Sequence, residues 1–236
     1  IRSLFIPEEG CVWGCFDYNQ QEPRLVVHFA ATTAGIKEDA SVKEIVDNYS
    51  NNDIDFHKTV ADMAGISRLQ AKTINLGLFY GMGKAKLQAE LGLSTKQEAT
   101  ELFNQYHDRV PFVRDLMNET SRWASREGEI RTLLGRGCRF NKWEPAQFGM
   151  HTPMTWEDAM KKYGENRIRR AFTYKALNKL IQGSAADMTK KAMLDLYKEG
   201  IIAHIQIHDE LDISVESDKK AKRIIEIMET AVDLEV

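Results

Sequence analysis

Apolar positions recur at helical spacing along most of this chain and cluster as strands do in only a few short runs. The pattern predicts helices over 55–63, 68–80, 84–91, 94–106 and 111–126, a long helix over 167–198 and an amphipathic one over 217–232. Strands are predicted at 11–16, on both sides of a Gly135-Arg136-Gly137 turn within 130–140, and in IIAHIQIHDELDISV, where two strands meet at His208, Asp209 and Glu210. Residues 22–31 read as the start of a helix or as an extended turn. Gly81 and Gly83, which tolerate positive φ, close the 68–80 helix, and Ser94 and Thr95 followed by Gln97 and Glu98 form a cap. The stretch 141–166 is polar, carries Pro145 and Pro153, and reads as a surface insertion. No internal repeat or low-complexity tract breaks this order.

Composition narrows the class. A chain of 236 residues, 43% hydrophobic and 28% charged, can bury a sizeable core in one domain or two small ones. No apolar run approaches the roughly 18 residues of a membrane span, and Ile1 opens neither a signal peptide nor a chain with an initiator Met. The chain is therefore expected to be a piece of something longer. Cys11, Cys15 and Cys138 show no CxxC spacing, which favours reduced core thiols in the cytoplasm over zinc or disulfides. The net charge of −3 does not advertise a nucleic-acid binder. Its distribution does: Lys161, Lys162, Arg167, Arg169, Arg170, Lys175, Lys179, Lys190 and Lys191 form a basic stretch that could follow a duplex backbone. Glu38, Asp39, Glu44, Asp47, Asp53 and Asp55 are acidic elsewhere.

Candidate chemistry concentrates in three places. In SRLQAKTINLGLFYGMG, Arg68, Lys72, Leu76 and Tyr80 recur every fourth residue, so two cations, an apolar plug and a ring share one helix face. That face suits an anionic, flat-faced ligand such as a nucleoside triphosphate. In CVWGCFDYNQQEPRL an apolar run ends in Asp17, and the HDE hairpin puts Asp209 and Glu210 at another strand end. A carboxylate fed directly by apolar sequence is costly unless it meets a cation or metal, and paired oxygen ligands at strand ends suit Mg2+. Two such ions can serve an in-line displacement at phosphorus.

DYNQQEPR, RLQAKTINLGLFYG and HDE resemble, in order, motifs A, B and C of the family A DNA polymerases, the bacterial DNA polymerase I and phage replicase group. ALNKLIQGSAADM, between the second and third, resembles that family's glutamine helix. The resemblance implies an α+β polymerase right-hand fold: an antiparallel palm sheet with a helical fingers subdomain, and no thumb in this chain. Residues 1–35 would be palm with motif A, 36–128 fingers with the motif B helix at 67–80, and 129–236 palm with the glutamine helix and motif C. It also implies a DNA-directed DNA polymerase that moves a nucleotide from dNTP to a primer 3′-hydroxyl by a two-metal mechanism. Asp17, Asp209 and the Tyr18 carbonyl would hold two Mg2+ ions, for which Mn2+ can substitute. Glu210, expected on the opposite strand face, is an accessory carboxylate that tunes the site. Lys72 would sit near the α-phosphate and protonate the leaving pyrophosphate, with Arg68 on the γ-phosphate and His57 and Gln20 on the others. Tyr80 would stack near the templating base, and Glu22 would block a ribose 2′-hydroxyl. Asn178 and Gln182 would read minor-groove acceptors without reading sequence, and His208 would contact the primer terminus.

Some positions depart from the pattern. Pro23 stands where an aliphatic residue is usual and is expected to bias Glu22 toward extended geometry. Leu76 replaces an aromatic residue, a viral-looking choice, and Tyr174 stands where arginine is common. The link between His57 and Arg68 is short, as in phage polymerases. The partners implied are primer-template DNA, dNTPs, and an upstream thumb and exonuclease region of a parent chain, with no membrane, in the cytoplasm of a bacterial or phage-infected cell. Two alternatives stay open: a non-catalytic nucleic-acid-binding polymerase fragment, and, within the enzyme class, a reverse transcriptase or RNA polymerase.

Overall fold

The structure, a computed structural model, describes residues 4–51, 55–79, 82–147 and 149–236. The chain opens with strand β1 (Val12–Asp17) and the helices α1 (Gln21–Thr32), α2 (Ala40–Asn51), α3 (Phe56–Ala64) and α4 (Arg68–Phe79). Helices α5 (Lys84–Leu91), α6 (Lys96–Arg109) and α7 (Pro111–Glu127) follow. A small hairpin, β2 (Glu129–Arg131) and β3 (Gly137–Arg139), leads to β4 (Trp143–Pro145), α8 (Trp156–Tyr163) and β5 (Ile168–Arg170). The chain ends with α9 (Ala176–Lys198), β6 (Ile205–Ile207), β7 (Glu210–Val215) and α10 (Asp218–Glu229).

Local chemistry accounts for most boundaries. Asp55 caps α3 by accepting from the His57 and Lys58 amides, Thr95 caps α6, Thr155 caps α8 and Ser217 caps α10. Pro111 opens α7, and Gly65, Gly92 and Gly128 end their helices in the left-handed conformation.

The first strand of the chain joins the last. β1 and β7 pair antiparallel with Cys15 opposite Asp212 and Asp17 opposite Glu210, and β6 completes the sheet in the order β1-β7-β6. Leu211, Ile213 and Val215 point from β7 into a core shared with Ala192 and Leu196 of α9 and Ile224 and Ile227 of α10. A larger helical core gathers Leu25 and Val26, Phe56 and Val60, Ile74, Tyr106, Phe112, and Leu177 and Ile181. α9 contributes to both, and with Ala176 and Leu180 to a third cluster beside Ile130 and Phe140. Buried on several sides, it is the spine against which both halves pack.

Two expectations need correction. The long helix expected from residue 167 begins at Ala176, because Ile168–Arg170 pairs with Trp143–Pro145 and Phe172 takes φ 64 before a single 3-10 turn. The expected surface insertion is mostly exposed and carries elements of its own, with Trp143 and Met154 bridged and α8 behind them. Cys15 is exposed, not a core thiol, although none of the cysteines forms a disulfide. α2, within the acidic cluster, is a helix that periodicity alone did not predict; it buries Val42, Ile45 and Tyr49. Among the described residues, no helix is long and apolar enough to cross a membrane.

Candidate active site

A cleft of about 670 Å³ opens where the N-terminus of α1, helices α3 and α4, the middle of α9 and the β6–β7 turn converge. Gln20, Glu22, His57, Leu76, Gln182, His208 and Asp209 line it together, although they come from distant parts of the sequence. Gln21, Thr189, Lys190 and Gln206 line it as well.

The acids sit at one edge of the sheet. β1 ends in the exposed Asp17, directly across the ladder from Glu210. The next residue, Tyr18, donates its N–H to the carbonyl of Asp209 at 3.4 Å, so the end of β1 and the HDE turn are joined. His208 takes φ 55 in that turn, and its carbonyl accepts from the Gln206 side chain at 2.5 Å. Asp209 lines the cleft; Glu210 begins β7 and does not. The Tyr18 ring points away, its hydroxyl donating to the Met228 carbonyl at 2.9 Å, and burial pushes its pKa up to about 12. One pleat behind Asp17, Cys15 Sγ and single carboxylate oxygens of Glu210 and Asp212 lie within 4.8 Å of one another.

The turn after β1 is shaped by Gln20, which adopts the left-handed conformation at φ 57 and accepts the Phe56 N–H on Oε1 at 2.6 Å. That bond ties the start of α1 to the start of α3. Pro23 does not extend Glu22, which is helical. The first intrahelical bond of α1 runs from the Arg24 N–H to the Gln20 carbonyl, so a proline one residue earlier leaves no bond unmade. Gln21, which sequence reasoning missed, is buried and donates to Thr189 on α9 at 3.2 Å.

On α4, Arg68, Lys72 and Leu76 keep the common face expected of them, with Ala71, Ile74 and Asn75 buried behind. Leu76 reaches the cleft, and the two cations lie one and two turns before it. Tyr80 lies outside the described residues. Arg68 is engaged: its guanidinium bonds Asp55 Oδ2 at 2.5 and 2.6 Å. Burial would raise the Asp55 carboxyl, but the Arg68 side chain and the Lys58 and His57 amides outweigh it and hold the group below the usual carboxylate range. His57 is buried rather than a surface residue, and burial lowers its pKa; Asp55 opposes that shift, while Arg68 and Lys72 reinforce it. Its Nδ1 lies 3.0 Å from Asn75 Nδ2. Asn75 is a second residue sequence reasoning missed; the available signal was a lone amide on the apolar face of α4.

On α9, Gln182 is exposed at the cleft and Asn178 lies one turn before it on the same side. Part of the basic stretch is occupied. Arg169 pairs with Glu144, Arg170 stacks over Trp143 and donates to the Phe140 carbonyl, and Lys191 pairs with Asp195. Lys161, Lys162, Arg167, Lys175 and Lys190 are exposed and make no ion pair among the described residues.

Comparison with known proteins agrees with this arrangement. The chain is 35% identical over 272 aligned residues to a DNA-directed DNA polymerase of Pseudomonas phage M6, covering all of this chain and 38% of that protein. It is 32% identical to DNA polymerase I of Caldicellulosiruptor bescii, again over its full length, which is 26% of that enzyme. Among solved structures it is similar to the POL domain of Pol1 from M. smegmatis in complex with DNA primer-template and dNTP. The TM-score is 0.74 at 26% identity, covering 100% of this chain and 40% of the other. The chain thus spans well under half the length of these relatives. With the description DNA polymerase family A matching residues 1–236 from end to end, the chain belongs to that family.

Proposed function

We propose that this chain carries the nucleotidyl-transfer centre of a template-directed DNA polymerase, with residues 1–35 and 129–236 as palm and 36–128 as fingers. The observation that carries the reading is the single cleft lined at once by the turn after β1, α3, α4, α9 and the HDE turn.

In this reading the primer 3′-oxygen attacks the α-phosphorus of a dNTP. A new P–O bond forms, the α–β bond breaks, and pyrophosphate leaves. Asp17, Asp209 and the Tyr18 carbonyl are the groups that would hold two Mg2+ ions, and the fit is chemical: all are hard oxygen donors at one sheet edge. Bound there, the ions would make the 3′-hydroxyl more acidic and neutralise charge on the triphosphate. Lys72 protonates the departing pyrophosphate, and Arg68, His57 and Gln20 orient the phosphates. Arg68 can exchange Asp55 for a phosphate at little cost, because an exposed ion pair is worth only about 0–1 kcal/mol. Glu22, at the cleft beside Leu76, excludes a 2′-hydroxyl. Gln182 and Asn178 run along the minor groove, His208 meets the primer terminus, and Tyr80 would stack near the templating base.

Primer extension on a DNA template tests this, with Mg2+ and dNTPs, against the Asp209→Asn variant and with rNTPs substituted. Extension with dNTPs that is lost in the variant and absent with rNTPs is expected. Retained primer-template binding without any extension would replace the enzyme reading with that of a binding fragment.

A further inference from the structure

Behind the face that α4 turns to the cleft lies a buried polar chain of which the proposed mechanism gives a task to His57 alone. The Tyr106 hydroxyl on α6 donates to Asn75 Oδ1 at 2.6 Å, and Asn75 Nδ2 meets His57 Nδ1 at 3.0 Å. Asn75 and Tyr106 are fully buried and His57 is 8% exposed. Three polar side chains from three helices have therefore been taken out of water and satisfied by one another, an arrangement that helix packing alone does not require.

We infer that Asn75 is a positioning residue: anchored by Tyr106, it locks His57 as the neutral tautomer whose proton is on Nε2, a preset donor for a phosphate oxygen of the incoming nucleotide. The reasoning is directional. Burial pushes the Tyr106 pKa up, so its hydroxyl keeps its proton and donates. An amide whose oxygen takes that proton must turn its NH2 toward His57, and an NH2 can only donate. Nδ1 is therefore the acceptor, and the proton of the neutral ring falls to Nε2, the nitrogen left to serve the cleft that His57 lines. A cationic ring would set an Nδ1–H against that NH2, so the chain also opposes protonation, in the same direction as burial. Charged and titratable groups around the ring are Asp55 on its own helix, Arg68 and Lys72 on α4, and Glu22, Lys190, His208 and Asp209 across the cleft. Since the exposed Arg68 and Lys72 already supply positive charge, a neutral donor adds direction without placing a cation in the buried chain.

This inference rests on the polymerase reading only for the identity of the phosphate, so its test has an arm independent of activity. Two-bond 15N–1H NMR of the His57 ring in this chain separates the two neutral tautomers, and Nε2–H alone is expected across neutral pH. Asn75→Asp keeps the shape but can only accept, so it should move the proton to Nδ1 and raise the ring pKa. In primer extension the dNTP KM of the unaltered chain should stay flat from pH 7 to 9. That of Asn75→Asp should rise by roughly tenfold over the same range, as Nε2 turns a lone pair toward phosphate, while kcat at saturating dNTP is little changed. Should Asn75→Asp fail to fold, Tyr106→Phe should mix the tautomers by unanchoring the amide. An Nδ1–H ring in the unaltered chain, parallel pH profiles, or a single unchanged tautomer in Tyr106→Phe would each overturn the inference. A chain that neither binds nor incorporates dNTP would sink the polymerase reading and leave the NMR arm to decide this one.

Discussion

Asp55 serves two masters: its carboxylate caps α3 through the His57 and Lys58 amides and also holds Arg68. Asparagine caps as well as aspartate does, whereas alanine costs about 1 kcal/mol at such a position. Asp55→Asn should therefore leave the urea midpoint nearly unchanged while releasing Arg68, and lower the dNTP KM a few-fold; an unchanged KM would mean that the ion pair does not compete with phosphate. A second residue-scale prediction concerns His107, which is 2% exposed between Phe103 and Tyr106 with no hydrogen-bond partner for either nitrogen among the described residues. Burial lowers its pKa to about 4; Arg114 and Lys84 push the same way and Asp108 opposes. Between pH 6.5 and 4 the unfolded chain binds the proton that the folded one refuses, so stability falls as pH drops through that window. His28 and His57, also depressed, add to the slope. Urea midpoints at pH 7 and pH 5 should differ less for His107→Leu than for the unaltered chain, and an equal difference would remove His107 from the account.

At the scale of elements, the hairpin after α7 is clamped onto α9. Arg136 bonds Asp187 at 2.9 Å and the Gly183 carbonyl at 2.8 Å, Ser184 accepts the Leu133 N–H, and the Thr132 hydroxyl bonds Asp187. At Gly183 the two approach closely: a Cβ there would meet Thr132 Cγ2 at 2.6 Å. Alanine gains about 1 kcal/mol of helix propensity over glycine, but forcing a methyl into a packed contact costs roughly 1–3 kcal/mol. Thr132 cannot swing aside, because its hydroxyl also accepts the Arg136 N–H at 3.0 Å. Gly183→Ala should therefore lower stability, and adding Thr132→Ser, which removes the offending methyl, should restore it in thermal melts. Elements like α7 and α10 were legible because their apolar positions repeat every three or four residues over several turns. β4 and β5 were not: three residues cannot show alternation, and Arg169 and Arg170 sit as naturally in a basic helix as in a strand until Glu144 and Trp143 are seen opposite them.

Across the whole molecule, the candidate site residues could be named from sequence, whereas the contacts that bring them together could not. Asp17, Asp209, Leu76 and Gln182 stand in short motifs whose spacing survives without any knowledge of topology. The contacts that bring them together, Gln20 to Phe56, Gln21 to Thr189 and Tyr18 to Asp209, join segments far apart in the chain and leave no periodic trace. Charge behaves likewise. A net charge of −3 suggests no affinity for DNA, yet that total sets the basic stretch against acidic sequence elsewhere, including that around α2. The exposed Lys161, Lys162, Arg167, Lys175 and Lys190 remain available for phosphate. If about five phosphates are neutralised, the slope of log affinity against log salt is about −4.5, and affinity for a primer-template should fall by roughly 10²–10³ between 50 and 200 mM salt. Fluorescence anisotropy across that range measures the slope directly. Replacing Lys175 and Lys190 together by glutamine should make it shallower by about 2, equally for any DNA sequence, because these side chains would touch backbone and not bases. A slope near zero, or one untouched by the double replacement, would show that the basic stretch is an ordinary solvated face and that the duplex lies elsewhere.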